Sequence, residues 1–146
     1  MTGAYPSEVV RTVGGLLSPF IAMFGLYIIA HGHYGPGGGF AGGVVLAVGV
    51  ILPRLTLESR IAFGSVSREL GPLTAVAGML AFALTGLAAV LAGGAFLDYA
   101  AVEVGELAAS RLRYLGILVV EVAVGLAVFG AMVLIYDELA GSPVDG

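Results

Sequence analysis

The stretch LTAVAGMLAFALTGLAAVLAGGAFL, residues 73–97, carries no charged residue over its whole length. Wound as a helix at about 1.5 Å per residue it is about 37 Å long, more than the roughly 30 Å of a bilayer's hydrocarbon. Working outward, the same test selects three further stretches. Residues 12–31 are uncharged, with Pro19 tolerable because a neighbouring helix or Ser18 can satisfy the freed carbonyl. Residues 114–136 hold one charge, Glu121. Residues 39–57 contain an uncharged core, 39–52, only about 21 Å long. That span is full length only if it continues past Pro53, with Arg54 snorkelling to the headgroups. The sequence therefore reads as an all-α, polytopic membrane protein of about four transmembrane helices, forming a single domain over 1–146.

Composition agrees. Charged residues make up 11% of the chain against roughly 25% in soluble domains, and the mean hydropathy is +1.05, so water is not its main solvent. Six arginines, ten acids and no lysine leave no basic face for nucleic acid. The absence of cysteine removes disulfides, thiolate metal sites and cysteine nucleophiles. The only close carboxylate pairs are Glu103 with Glu106, in the polar connection 98–113, and Asp137 with Glu138, in an acidic tail over 137–146. Without a catalytic triad or a metal cluster, no enzyme, cofactor or metal is expected.

The apolar run after Arg11 is longer than a signal-peptide core and lacks a small-x-small cleavage site, so it reads as a retained helix. Residues 58–70 suit either a short amphipathic piece on the interface or a solvated loop. Arginine counting puts Arg11, Arg54, Arg60 and Arg68 on one side and Arg111 and Arg113 on the other, which favours both termini in the cytoplasm. Small residues recur every fourth position in each span, as in Gly14, Ser18, Ala22; Gly39, Gly43, Ala47; Ala77, Ala81, Thr85, Ala89, Gly93; and Ala123, Ala127, Ala131. Such rows let helices approach closely in lipid, although a chain this rich in glycine and alanine also produces them by chance. No inverted-topology repeat stands out, which weighs against a self-contained transporter.

Three features could carry chemistry. The run from His31 to Gly43, with Pro36, Gly37, Gly38, Gly39, Phe40, Gly42 and Gly43, joins the first two spans. Glycine at this density exposes backbone N–H groups and permits positive φ, so the run suits a tight turn with close helix packing or, less simply, an anion nest. It is neither a P-loop nor a Rossmann fingerprint. His31 and His33 stand at the membrane edge, where imidazole titrates near neutrality and could relay protons; two apart, they do not share a helix face for a metal. Glu121, about 9 Å into the last span, is costly in hydrocarbon. It suits either a proton relay or a hydrogen bond to a neighbouring helix or subunit.

The stretch 7–52, with Pro19, Gly25, Tyr27, Gly32, the run Pro36-Gly37-Gly38-Gly39-Phe40 and then Gly42-Gly43, resembles the MnhB/MrpB family, the B subunit of Mrp-type (also called Mnh) antiporters. In the last span the family has an Asp-Ile-Gly-Val-Tyr segment with a glycine nine residues after the Asp. Here Glu121-Val-Ala-Val-Gly leads to Gly130 at the same offset, with Glu for Asp, Ala123 for Gly and Gly125 for the aromatic. The resemblance implies an accessory subunit of a cell-membrane assembly exchanging sodium, or another monovalent cation, for protons. Its partners would be the other antiporter subunits and lipid. The principal ion-translocating lysines and glutamates would belong to the large A and D subunits; this chain has no lysine. The same module occurs in complex I-related assemblies such as membrane-bound hydrogenases, and an autonomous homo-oligomeric four-helix transporter or channel is the remaining alternative.

Overall fold

The computed structural model describes residues 7–34, 37–56, 69–102 and 108–141. Four helices follow in order: α1 Glu8–His31, α2 Gly38–Thr56, α3 Leu70–Leu91 and α4 Ala109–Gly141, with a short 3-10 turn at Gly32–Tyr34 between the first two. All four are long and apolar enough to cross a membrane.

The helix ends depart from the sequence expectation for identifiable reasons. α1 starts ahead of residue 12 because Ser7 caps it, its hydroxyl accepting the Val10 N–H at 3.4 Å, with Glu8 in the first turn and 3.9 Å from Arg11. α2 spans 38–56 where 39–57 was expected. α3 stops at Leu91, so that the expected helical residues 92–97 are turns: Gly93 adopts φ +88°, a conformation that ends a helix. The chain then doubles back, Phe96 meeting Phe82 edge to face at 6.1 Å between centroids, and Tyr99 packing over Gly116. α4 outruns the expected 114–136 at both ends, since Arg111 and Arg113 are exposed on its first turns and Asp137 and Glu138 are helical rather than part of a tail. The segments 57–68 and 142–146, together with Pro36, Glu103 and Glu106, lie outside the described residues.

α1 packs along α2, α2 along α4, and α4 along α3, so the helices lie side by side in the order α1, α2, α4, α3. The two sequential hairpins are antiparallel. α2 and α4 run in the same direction, Gly39 meeting Glu121 and Arg54 meeting Asp137, and form the central seam. The core contains small side chains, with Ala47, Ala89, Ala123 and Val133 buried, while Leu16, Phe20, Met23, Met79, Leu80 and Leu84 point outward. A soluble protein would reverse this arrangement; in lipid, where apolar surface gains nothing by leaving the solvent, close backbone approach drives association.

The small-residue rows of α1 and α2 are packing faces. Gly14 lies against Thr56, and the Ser18 hydroxyl donates to the Gly49 carbonyl of α2 rather than serving the break at Pro19. In α3 the expected row holds only in part: Ala89 is buried but Ala77 is exposed, and α3 also meets α4 through Gly71 and Gly78.

Candidate functional site

The α1–α2 turn is built from backbone. Gly38, the first residue of α2, has φ +76°, which L side chains rarely adopt. At Gly39 the constraint is space: a Cβ there would fall 2.1 Å from the Glu121 carbonyl oxygen of α4. Gly42 faces Ile29 of α1 and Gly43 faces Gly125 of α4, so the first turns of α2 are wedged between two helices. Phe40, in the same turn, points outward and is 67% exposed.

Glu121 belongs to this turn. α4 begins at Ala109, so Glu121 lies in its fourth turn, about 18 Å along the helix rather than the expected 9 Å. Its half-buried side chain reaches the turn from the α4 side: a Cβ on Gly32 would lie 2.7 Å from Oε1, and one on Gly38 would lie 3.5 Å from it. The first turn of α2 has no acid of its own. Glu121 thus brings a carboxylate from another helix to the positive end of α2, where a helix has unpaired N–H groups and a partial positive charge.

The histidines are placed differently from Glu121. His31 is exposed at the end of α1, its ring stacked on Tyr27 at 4.3 Å and its Nδ1 3.2 Å from the Tyr27 carbonyl. Its contacts are thus with its own helix, one turn back. His33 is in the 3-10 turn, and its side chain lies outside the described residues. Tyr34 of the same turn reaches Tyr114 of α4, 6.5 Å between ring centroids.

At the opposite end of the seam, Arg54 of α2 pairs with Asp137 of α4, their side chains only 16% and 13% exposed. Arg54 is thus held by a partner helix rather than reaching for headgroups. Sequence reasoning missed this pair because it placed Asp137 in a tail. The signal was present: Asp137 follows Ala123, Gly130 and Val133, buried residues of α4, at intervals of 7, 3 and 4, the spacing of one helix face. The second Asp137 oxygen, Oδ2, is buried without a hydrogen-bond partner among the described residues. The described residues contain no group of three His, Asp or Glu able to hold a metal.

A family model described as a domain related to the MnhB subunit of Na+/H+ antiporter matches residues 9–134. A Staphylococcus haemolyticus protein named as antiporter subunit mnhB2 is 30% identical over 133 residues, covering 91% of this chain and 94% of its own length. A Bacillus subtilis protein, named as the B subunit of a Na(+)/H(+) antiporter, is 30% identical over 95 residues, 62% of this chain and 63% of that one. A Staphylococcus saprophyticus protein, also named as antiporter subunit mnhB2, is 26% identical over 133 residues, 91% of this chain and 94% of its own.

Proposed function

The chain belongs to the MnhB family, and from that premise we propose that it is an accessory membrane subunit of a multisubunit Na+/H+ antiporter, packed against larger ion-translocating subunits. The observation that carries this reading is the match over residues 9–134, joined by relatives named as antiporter subunits. The fold supports it. Helices lying side by side, with large apolar side chains facing outward, require apolar neighbours on both broad faces, whether lipid or other subunits.

Within that role Glu121 positions the start of α2 against α4, and any proton that passes through it draws its next partners from neighbouring subunits. The glycine turn lets the carboxylate and the helix end meet. The ends of α1 and α4 at Ser7 and Gly141 lie on the same side as Arg11 and Arg54, and we place that side in the cytoplasm.

Isolation of the tagged chain from its native membrane in mild detergent, with mass spectrometry of what stays bound, tests the assignment. Large antiporter subunits in stoichiometric amount are expected. Recovery of the chain alone as a defined homo-oligomer, or in company with hydrogenase-type redox proteins, would overturn it. For Glu121, sodium-dependent proton flux separates the two roles: positioning requires Glu121→Gln to retain most transport and Glu121→Ala to lose it, whereas a relay requires both to fail.

A further inference from the structure

Where α3 ends and the chain doubles back, a cavity of about 430 Å³ opens between α3, α4 and the returning segment, lined by Leu84, Thr85, Tyr99, Leu112, Leu115 and Val119, among others. Its volume falls in the range of about 300 to 1,000 Å³ usual for small-molecule sites. Little in it recognises a polar ligand. The Thr85 hydroxyl is committed to the Ala81 carbonyl at 2.7 Å, and partial burial pushes the Tyr99 phenol above its ordinary range.

The rim differs from the interior. Arg111 stands four residues before Leu115, hence on the same face of α4 and one turn farther out, and it is exposed. Among the described residues it has no ion-pair partner. The chain has six arginines and no lysine, and this one stands a helical turn beyond Leu115 of the cavity wall. Among the described residues the returning segment carries one acid, Asp98, and it is exposed.

We infer that this cavity is a phospholipid site, which takes an acyl chain between α3 and α4 and an anionic headgroup at Arg111. The apolar lining selects the chain, and the guanidinium, able to meet a phosphate with two donors, selects the headgroup. The site would lie away from the Glu121 turn and does not depend on the antiporter assignment.

The test is lipid retention by the intact assembly, reconstituted in nanodiscs of equal parts phosphatidylglycerol and phosphatidylcholine, re-extracted and examined by native mass spectrometry. The wild-type chain is expected to retain lipid enriched in phosphatidylglycerol. Ala88→Phe fills the cavity from its wall and should remove that lipid. Arg111→Gln, a surface change that leaves the fold intact, should keep a bound lipid but lower the preference for phosphatidylglycerol by about fivefold. Absence of retained lipid in wild type, equal retention in Ala88→Phe, or an unchanged preference in Arg111→Gln would each overturn the proposal. So would a photo-crosslinker at position 88 that captures another subunit instead of lipid, since the cavity would then belong to a protein partner.

Discussion

The two ends of the α2–α4 seam are joined by different physics. At one end a carboxylate, Glu121, approaches the backbone start of α2, and the helices touch through glycine with no room for a methyl group. At the other, two charged side chains, Arg54 and Asp137, reach across to each other. The first junction should therefore tolerate loss of charge better than added volume, and the second should tolerate added volume better than loss of one partner. Parallel neighbours of unequal length, α2 and α4, are thereby held in register from both ends.

Four substitutions test that contrast, in decreasing order of expected effect. Asp137→Ala removes the α4 member of the Arg54 ion pair and should cost about 3 to 5 kcal/mol, the penalty for removing one member of a largely buried pair. Unfolding in mixed detergent micelles measures it, and the double change Arg54→Met with Asp137→Leu should recover most of the loss. If the single variant proves neutral, the second junction is not electrostatic. Gly39→Ala should cost about 1 to 3 kcal/mol through overpacking against the Glu121 carbonyl, visible in the same titration and as reduced assembly yield. Glu121→Gln removes only the charge facing the start of α2 and should cost about 0.3 to 1 kcal/mol, less than Gly39→Ala; the reverse order would mean that charge outweighs packing there. Phe40→Ala, one residue from Gly39 but outward-facing, should stay within about 0.5 kcal/mol in the isolated chain. Any defect it shows in flux or pull-down then reports contact with a neighbouring subunit.

Much of the architecture was legible because hydrocarbon imposes one strong rule: a span must be long and nearly free of charge. That rule located all four helices. It did not locate their ends, which depend on local events such as the φ of Gly93 and the Ser7 cap. It also misled where charges are tolerated inside helices. Arg111 and Arg113 lie at the exposed start of α4, and Asp137 is neutralised by a residue eighty-three positions away.

The site divided in the same way. Glycine density marked the α1–α2 turn, and isolation in an apolar run marked Glu121. That the two meet was not legible, because the first turn of α2 is glycine, phenylalanine and alanine, and a helix start has no side-chain signature. The α3 row was only partly right for the opposite reason: four-residue spacing in an alanine-rich helix says little about which face is buried, and Ala77 proved exposed while Ala89, Gly71 and Gly78 pack.

The backbone character of the Glu121 junction has a consequence for genetics. A defect at Asp137 has a natural second-site remedy, because Arg54 can itself mutate to a side chain that matches the new neighbour. A defect at Glu121 has no such counterpart on α2, since the group it approaches is the start of a helix common to every sequence that folds this way. A suppressor screen begun from Asp137→Ala should return changes at Arg54, whereas one begun from Glu121→Ala should return none in the first turn of α2.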